Sequence, residues 1–440
     1  MTLTLENPEA SPINEMAVVG YKISELGMIP EDWNIIQFSD LLEFRNGVNA
    51  DKTAYGKGIP FINVLEVITH SHLSVAKVPG RITLPVSVAS MYGIRYGDIL
   101  FNRTSETQEE LGLASTYISK SNEKIVFGGF VIRGRPIGNL LDAKYSGYAF
   151  RSSLIRSQII SRGQGAIRAN IGQYDLSQIF IIIPPLKEQQ AIAAALNDID
   201  SLINSLDQLI AKKRNIKLGA MQQLFTGKQR LPGFSGEWNA IQLGFFGQCL
   251  RGVSYKGETD LSPTDNDHTI RLFRSNNIQN SKIIKNNLQY VASVKVSDHQ
   301  VMRNNDILIC MANGSKELVG KAGLLTIKDA YRYTFGAFMG CFRTNIEKAD
   351  PRFVFYLLQS NHYRNNISNL LAGSSINNLK PSDIESIIFF TPYLHEQTAI
   401  ANILSDMDNE LSLLEQRLDK ARNLKHGMMQ ELLTGRIRLK

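Results

Sequence analysis

The sequence predicts an α+β protein in which two homologous globular domains are joined by two long antiparallel α-helices, which form a coiled coil with pseudo-two-fold symmetry. Three observations support this prediction: an internal repeat, an apolar stripe of helical period in each copy, and short apolar runs typical of β-strands. The chain has 440 residues, of which 43% are hydrophobic. Because a single core rarely grows beyond about 250–300 residues, this length favours more than one domain.

The internal repeat is clearest in residues 186–231 and 394–439, which match without a gap at an offset of 208 residues. Weaker matches lie upstream at the same offset, and near the start of each half the offset is 205 residues. Each half is therefore predicted to contain one domain of about 160 residues followed by one long helix. The matches include Asp98 with Asp306, Phe127-Gly-Gly-Phe130 with Phe335-Gly-Ala-Phe338, Glu188 with Glu396, Gln189 with Gln397, Gly227 with Gly435, Trp33 with Trp238 and Gly47 with Gly252.

A helix is predicted in each matched segment because apolar side chains recur in alternating steps of four and three, the pattern of a coiled-coil seam. Pro184 and Pro185 precede the first helix, and Gly227 and Gly435 are the residue type that ends a helix in a left-handed cap. At a rise of about 1.5 Å per residue, each helix is about 60 Å long. The predicted seam consists of Ile192, Leu196, Ile199, Ile203, Leu206 and Ile210 in the first helix and Ile400, Leu404, Met407, Leu411, Leu414 and Leu418 in the second.

Two partners are possible for each seam. A short helix would pack on its own globular domain, but a narrow seam of this length favours a second narrow seam, which the other copy supplies. Since each helix follows its own domain, an antiparallel pair with a pseudo-two-fold axis is predicted. In that arrangement Lys212 and Lys213 are expected near Asp406 and Asp408, and Lys420 near Asp198 and Asp200.

The predicted organisation has five segments. Within the globular domains, short apolar runs such as 98–101 and 178–183 are typical of strands, and helices are predicted near 141–160 and 351–371. A mixed, curved sheet is expected in each domain. The segments are a flexible tail (1–20), a first domain (21–184), a central helix (185–231), a second domain (232–392) and a C-terminal helix (393–440).

The charge balance favours a polyanionic partner without specifying one. Charged residues make up 20% of the chain and the formal net charge is +7, an excess that attracts nucleic acid but also occurs on solvated surfaces. The three cysteines form no metal-ligand motif and favour a reducing cytosol, and no apolar run reaches the roughly 18 residues of a membrane span. A cytoplasmic location without membrane contact is therefore predicted.

Cations and side chains that can hydrogen-bond to base edges occur in turn-like segments of both halves. Each of them taken alone also fits a solvated loop residue. Their occurrence as two parallel sets favours a nucleic-acid face in each domain. The candidate DNA-binding residues are Arg103, Thr104, Arg133, Arg135, Gln164, Arg168, Asn170, Arg271, Arg274, Asn277, Asn313, Ser315, Lys316, Ser375 and Asn377.

Motifs for catalysis are missing from the sequence. Gly320-Lys321 lacks the upstream glycine and the downstream hydroxyl residue of a phosphate-binding loop. Ile183-Pro-Pro-Leu186 lacks the amide or acid and the aromatic residue of a loop that holds a flipped adenine. The seven histidines are scattered, so neither a metal site nor a catalytic residue is predicted. An enzyme with an unrecognised site and a structural coiled-coil scaffold are the alternatives.

Motifs at three kinds of position give the sequence a family resemblance. Over nearly its whole length the chain resembles the specificity subunit of a type I restriction-modification enzyme. The resemblance implies that each globular domain is a target recognition domain, that the two read the halves of a bipartite asymmetric DNA sequence, and that the helical spacer sets the number of unread base pairs. The motifs are the start Tyr21-Lys-Ile-Ser-Glu-Leu-Gly-Met-Ile-Pro-Glu-Asp-Trp33, the junctions Ile183-Pro-Pro-Leu-Lys-Glu-Gln189 and Thr391-Pro-Tyr-Leu-His-Glu-Gln397, and the helix ends Met221-Gln-Gln-Leu-Phe-Thr-Gly227 and Met429-Gln-Glu-Leu-Leu-Thr-Gly435.

The resemblance also implies partners. Two methyltransferase subunits would methylate adenine at N6 with S-adenosylmethionine, and two restriction-translocase subunits would act as an ATP- and Mg-dependent type I site-specific deoxyribonuclease. This chain would bind double-stranded DNA, hold no cofactor and carry no catalytic residue. A stand-alone two-headed DNA-binding regulator without restriction partners is the alternative.

Overall fold

The structure, a computed structural model, describes residues 19–165, 168–228, 230–372 and 377–440. It divides into two compact units: unit 1 comprises residues up to Ser205 together with Arg417–Lys440, and unit 2 comprises Leu206–Gln416. Residues 1–18 of the predicted tail lie outside the described ranges. Within those ranges, no helix combines the length and the apolar character needed to cross a membrane.

Domain 1 of unit 1 is built from short strands and short helices. The strands are β1 (Tyr21–Ser24), β2 (Gly27–Pro30), β3 (Asn34–Gln37), β4 (Leu42–Asn46), β5 (Tyr55–Ile62), β6 (His72–Leu73), β7 (Arg81–Ile82), β8 (Ile99–Asn102), β9 (Thr104–Ser105), β10 (Ala114–Tyr117), β11 (Val126–Phe127), β12 (Val131–Pro136), β13 (Ala169–Asn170) and β14 (Phe180–Ile183). The helices are α1 (Phe38–Leu41), α2 (Val64–Thr69), α3 (Val86–Met91), α4 (Ala143–Ala149), α5 (Ser153–Arg162) and α6 (Gln173–Ser177).

Domain 2 of unit 2 has the same kind of architecture, and long helices follow both domains. Its strands are β15 (Asn239–Gln242), β16 (Gly247–Arg251), β17 (Leu261–Ser262), β18 (Thr269–Phe273), β19 (Ile278–Gln279), β20 (Lys282–Ile283), β21 (Gln289–Ala292), β22 (Ile307–Cys310), β23 (Ala322–Leu324), β24 (Tyr333–Phe335), β25 (Met339–Thr344) and β26 (Ile388–Thr391). Its helices are α8 (Pro351–Leu357), α9 (Asn361–Ala372) and α10 (Pro381–Glu385), and the long helices are α7 (Leu186–Leu224) and α11 (Leu394–Leu432).

The sheets of the two domains share a mixed topology, as predicted. In domain 1 the main sheet has the order β4-β12-β8-β10-β6, and in domain 2 the order is β16-β25-β22-β23-β20-β19. Both combine antiparallel pairs with one parallel pair, β10 with β6 and β20 with β23. A second sheet in each domain contains a parallel pair, β11 with β5 and β24 with β18. The central strands β8 and β22 are fully buried, in keeping with their apolar sequences.

Each domain is closed by the strand that leads into its long helix. Strand β14 pairs antiparallel with β3, and β26 pairs antiparallel with β15, so the two ends of each domain meet. Two prolines or a proline and a tyrosine then precede the helix. Gly227 and Gly435, which follow the helices, have positive φ angles of 65° and 74°. Both glycines therefore adopt the left-handed conformation that was predicted for them.

A Glu-Gln pair in the first turn attaches each long helix to its domain. Gln189 accepts a hydrogen bond from the amide of Asp142, the residue that caps α4, and donates to the carbonyl of Pro184. Gln397 makes the equivalent bonds with Asp350 and Pro392. Both glutamines are buried. The repeated pair therefore sets the angle at which each helix leaves its sheet.

The glutamate of that pair binds a tryptophan and an arginine. In unit 1 the carboxylate of Glu188 accepts hydrogen bonds from the indole of Trp33 at 2.9 Å and from the guanidinium of Arg438 at 2.8 Å. In unit 2 the carboxylate of Glu396 accepts from Trp238 at 3.3 Å and from Arg230 at 2.7 and 2.6 Å. We call these the glutamate clamps. The sequence showed the repeated acids and tryptophans but not this pairing.

The clamp in unit 1 predicts a dependence of stability on pH. Burial raises the pKa of Glu188, but hydrogen bonds from Arg438, Trp33 and Leu439 lower it more, so the pKa lies below its ordinary value. A depressed carboxyl pKa contributes stability that is present above the ordinary value and is lost as the pH falls through the folded-state value. We expect Glu188→Gln to lower the free energy of unfolding at pH 7 by about 1–3 kcal/mol.

Urea denaturation at pH 7 and at a series of lower pH values tests this expectation. The difference between wild type and Glu188→Gln should shrink as the pH falls through the folded-state pKa of Glu188, because the carboxylate is then protonated in the wild type as well. Glu431→Gln is the matched control, because Glu431 forms a partly exposed ion pair with Arg436 near the same end of the chain. That control should change stability by less than about 1 kcal/mol. An equal loss in both variants would contradict the assignment of the clamp.

Helices α7 and α11 run antiparallel within each unit. In unit 1 the ammonium of Lys425 lies 2.6 Å from the carboxylate of Asp200. In unit 2 the ammonium of Lys217 lies 2.6 Å from the carboxylate of Asp408. These two ion pairs are equivalent at the repeat offset, and each acid also accepts a hydrogen bond from a tyrosine hydroxyl of its domain, Tyr148 or Tyr356. The antiparallel pairing is confirmed.

The ion pairs expected from the sequence are only partly correct. Asp200 and Asp408 do bind lysines of the opposite helix, but the lysines are Lys425 and Lys217 rather than Lys420 and Lys212 or Lys213. Lys213 instead binds Glu410 at 2.7 Å. The actual register differs from the expected one by about one helical turn, because seam periodicity alone fixes which faces meet but not how far they are shifted.

The apolar seam has two kinds of partner. Ile192 and Leu196 belong to the core of domain 1, together with Leu432 and Leu433 from the end of α11. In unit 2, Ile400 and Leu404 belong to the core of domain 2. Farther along the seam, Ile199, Leu206, Ile210, Leu411, Leu414 and Leu418 are buried, whereas Ile203 and Met407 are partly buried. Packing on the domain, which was the alternative interpretation, therefore holds for the first turns of each helix.

Candidate nucleic-acid interface

Five predicted residues of domain 1 come together in one place, which we call loop face 1: Arg103, Thr104, Gln164, Arg168 and Asn170. Strand β9 pairs with β13, so Thr104 lies opposite Asn170, and the hydroxyl of Thr104 donates to the amide oxygen of Asn170 at 2.7 Å. Gln164 and Asn170 exchange two backbone hydrogen bonds. Gln164, Arg168 and Asn170 are exposed. Arg168 has one ion-pair partner, the exposed carboxylate of Glu106.

Five predicted residues of domain 2 also come together, in what we call loop face 2: Arg274, Asn313, Ser315, Lys316 and Asn377. The amide of Asn313 donates to the carbonyl of Asn377, and the side chain of Asn377 donates to the carbonyl of Gly314 at 3.1 Å. Ser315 and Lys316 are exposed. Predicted residue Ser375 lies outside the described residues.

A cleft of about 960 Å³ opens at loop face 2. Arg274, Asn313 and Asn377 line it together with Asn276 and Phe338. Within the described part of the chain, the buried Nε atom of Arg274 has no hydrogen-bond partner. A guanidinium and three amide side chains that line one cleft suit a ligand rich in hydrogen-bond acceptors, such as a base edge or a phosphate.

The two loop faces have the same backbone framework. The pairing of Thr104 with Asn170 in domain 1 corresponds, at an offset of 208, to the bridge between Ala312 and Asn378 in domain 2. The amide of Ile171 donates to the carbonyl of Arg103, and the amide of Leu379 donates to the carbonyl of Met311. The side chains on this framework differ, however. The same backbone geometry therefore carries different side chains in the two domains.

Two predicted residues of domain 1 form hydrogen bonds within the domain. Arg133 is 2% exposed and donates to the carbonyl of Gly93, and burial together with the neighbouring Arg135 lowers its pKa. Arg135 binds Asp98 through two hydrogen bonds of 2.8 and 2.7 Å. The equivalent pair in domain 2 is Arg343 with Asp306. The prediction for Arg133 was wrong because this side chain is buried in the sheet, whereas Arg135 is partly exposed and its contact with DNA stays a prediction.

Two predicted residues of domain 2 also have structural roles. Asn277 is 1% exposed, and its amide group caps a turn by accepting from the amide of Arg274 and donating to the carbonyls of Ile284 and Asn286. Arg271 binds the carboxylate of Asp265 at 2.7 Å and lies over the ring of Tyr331. Asn277 cannot reach a ligand, and Arg271 is occupied by its acid.

Two further arginines of domain 1, Arg151 and Arg156, also donate to backbone carbonyls within the domain. The guanidinium of Arg151 donates to the carbonyls of Val67, Ile68, His70 and Ala114, and burial lowers its pKa to about 10. Arg156 donates to the backbone carbonyls of Gln108, Glu109 and Leu111. The clustering of arginines in sequence therefore overstated the positive surface of this domain.

Sequence reasoning missed two residues beside the loop faces. Phe130 is 60% exposed and Phe338 is 72% exposed. The backbone carbonyl of Phe130 accepts from the amide of Arg103, and that of Phe338 accepts from the amides of Met311 and Ala312. The repeated Phe-Gly-Gly-Phe and Phe-Gly-Ala-Phe motifs were a signal, but periodicity could not show that the last ring points outward. Among the described residues, no group of three metal-binding side chains occurs.

Comparison with known proteins points to one family. Residues 30–214 and 237–423 each match the family described as "Type I restriction modification DNA specificity domain". The MjaX specificity subunit of a type I restriction enzyme from Methanocaldococcus jannaschii is 28% identical over 441 residues, which cover 96% of this chain and 97% of that protein. The StySPI specificity subunit from Salmonella potsdam is 32% identical over 202 residues, 45% of this chain and 43% of that protein.

A solved structure shares the fold. The S subunit of a type I restriction-modification system from M. genitalium superimposes with a TM-score of 0.56 at 17% identity, covering 91% of this chain and 96% of that chain. At this identity the likeness shows the arrangement of the fold alone. It agrees with the two α+β domains and the long helices seen here.

Proposed function

Since the chain belongs to the family of type I restriction-modification DNA specificity domains and contains two of them, we propose that it is the sequence-specific DNA-binding subunit of a type I restriction-modification complex. One observation carries the proposal: a single backbone framework presents loop face 1 and loop face 2 with different side chains. Two readers with the same geometry but different chemistry suit a bipartite target whose two halves differ in sequence.

The side chains of the loop faces can read DNA in two ways. The exposed cations Arg168 and Lys316 suit phosphate contacts, which supply affinity without sequence information. Asn170, Asn377 and Arg274 carry the amide and guanidinium groups that form bidentate contacts with adenine and guanine edges. Each good bidentate contact discriminates against a wrong base by about 1–3 kcal/mol. A few such contacts per domain would be sufficient for a half-site.

The presence of two domains on one chain raises the affinity of the chain for DNA. Once one domain has bound its half-site, the second binds at a high effective concentration, so that two weak readers give one tight complex. Helix α7 links the two domains along the chain, and a Glu-Gln pair attaches the first turn of α7 to domain 1 and the first turn of α11 to domain 2. We infer that this connection determines the number of unread base pairs between the half-sites.

We infer that the chemistry resides in partner chains. These would be two methyltransferase subunits, which methylate adenine with S-adenosylmethionine, and two ATP-dependent restriction-translocase subunits. This chain would direct them to the target without a cofactor or catalytic residue of its own. A cytoplasmic location suits the DNA partner, and the thiols of Cys249, Cys310 and Cys341 are buried and free, as in a reducing compartment.

Binding of the full chain to duplex DNA at 50 mM and at 300 mM salt tests the proposal. A DNA reader that releases counterions from several phosphates should bind much more weakly at the higher salt, by about 1,000-fold or more for six or more contacts. A structural scaffold should show no such dependence. Incubation with S-adenosylmethionine and with ATP should give no turnover from the purified chain alone. Turnover, or binding independent of salt, would contradict the proposal.

A further inference from the structure

The Phe-Gly-Gly-Phe and Phe-Gly-Ala-Phe motifs form the same rigid turn in both domains, at residues 127–130 and 335–338. In domain 1 the turn is held by backbone hydrogen bonds from Val48 to Phe127, from Gly128 to Ile62 and from Arg103 to Phe130. In domain 2 the equivalent bonds are Val253 to Phe335, Gly336 to Phe273 and Met311 to Phe338. The turn is therefore tied to three neighbouring segments in each domain.

Two glycines allow this close packing. A Cβ atom at Gly47 would lie 2.0 Å from the carbonyl oxygen of Gly128, and one at Gly252 would lie 2.0 Å from that of Gly336. No larger residue fits without a shift of the turn. The repeated Gly-Val motif near the start of each domain is thus explained by the need to hold the turn.

The last phenylalanine of each turn is exposed although its backbone is fixed. Phe130 and Phe338 are 60% and 72% exposed, whereas Phe127 and Phe335 at the start of the turns are fully buried. Single exposed apolar residues are common on protein surfaces. Phe130 and Phe338, however, occupy equivalent positions of the two domains. The backbone carbonyl of each is held by hydrogen bonds, and each residue lies next to a loop face.

We propose that Phe130 and Phe338 contact DNA bases, each in the half-site read by its own domain. This inference rests on the proposed DNA-binding function and adds an apolar contact to the polar loop faces. Phe338 lines the cleft that also holds Arg274, Asn276 and Asn377, so its ring lies beside groups suited to base edges. An aromatic ring gains by stacking on a base or by insertion at a base step, and rigid anchoring reduces the entropy lost on binding.

The experiment uses a duplex with the sequence that is found methylated in cells carrying this chain and its methyltransferase subunits. It measures the affinity of the full chain for this duplex over a range of salt concentrations. We expect Phe130→Ala and Phe338→Ala each to weaken binding by about 5- to 150-fold, the range for loss of one aromatic stack. The slope of log affinity against log salt should stay unchanged, because an apolar contact releases no counterions. Lys316→Ala, in contrast, should reduce that slope by about 1.

Three further variants test whether the effect comes from an apolar contact at the loop faces. Phe130→Leu and Phe338→Leu should recover part of the affinity, since leucine also serves as an apolar wedge. Phe245→Ala is the matched control, because Phe245 is also an exposed phenylalanine of domain 2, at 52% exposure. Its ring lies next to Lys348, which follows the end of β25, whereas Phe338 precedes the start of that strand. It should bind like the wild type.

The outcomes separate this inference from the function on which it rests. Wild-type binding that depends on salt, together with unchanged affinity in both alanine variants, overturns the aromatic contact and leaves the proposed function intact. A wild-type chain that does not bind the target overturns both. A loss in Phe245→Ala as large as that in Phe338→Ala also overturns the assignment, because the effect would then not depend on the loop face.

Discussion

Exchange of residues 235–390 for the corresponding domain of another family member is expected to change one half of the DNA target and to leave the other half unchanged. The exchanged segment carries loop face 2, while loop face 1 lies in unit 1. Specific binding in protein–DNA complexes exceeds non-specific binding by about 1,000-fold or more. The chimaera should therefore lose at least that much affinity for the original target and gain it for the new one.

The junctions of this exchange are compatible with folding. The segment contains strands β15 and β26 almost entirely, so their pairing is preserved. The donor domain must present an apolar surface to Met221, Leu224, Ile400 and Leu404, which complete the core of domain 2. The reciprocal exchange of residues 21–184 is the control, and it should change only the other half-site. A chimaera in which both half-sites change would contradict independent reading by the two domains.

Leu404→Ala is expected to destabilise unit 2 strongly. Leu404 is fully buried on α11 and belongs to the core of domain 2, so its truncation leaves a cavity. Replacement of a buried leucine by alanine costs about 2–5 kcal/mol. Leu413→Ala is the matched control on the same helix, because Leu413 is 61% exposed and its replacement should change stability by less than about 0.5 kcal/mol.

Thermal and urea denaturation measure this difference. If both leucine variants had the same stability, α11 could not be the element that completes the core of the domain. Affinity for DNA should fall in Leu404→Ala only at temperatures where unit 2 begins to unfold. The comparison thereby separates an effect on folding from an effect on DNA contacts.

The long helices and their antiparallel pairing could be predicted because both depend on periodicity. An apolar stripe that continues from Ile192 to Ile210 and from Ile400 to Leu418 indicates two long helices, and the repeat indicates that each has a matching helix with which to pair. The register could not be predicted, since shifts of one turn preserve the same stripe. Lys217 therefore binds Asp408 in place of Lys212 or Lys213, and Lys425 binds Asp200 in place of Lys420, about one turn farther along each helix.

The site was harder to predict because sequence does not show where a side chain points. Arg133 and Arg151 donate to backbone carbonyls inside domain 1. The neighbouring residues in the sequence do not distinguish such an arginine from one that faces solvent. Asn277 is equally hidden inside a turn. Part of each loop face follows the end of a buried strand, where the chain must reach the surface: Arg103 and Thr104 follow β8, and Asn313, Ser315 and Lys316 follow β22.

The most direct test of the account is a map of methylated adenines in DNA from cells that carry this chain together with its methyltransferase subunits. The account predicts methylation confined to one bipartite sequence with two unlike halves and a fixed unread spacer, and its disappearance when the gene for this chain is removed. Methylation that persists without the chain, or that follows a single uninterrupted sequence, would contradict it.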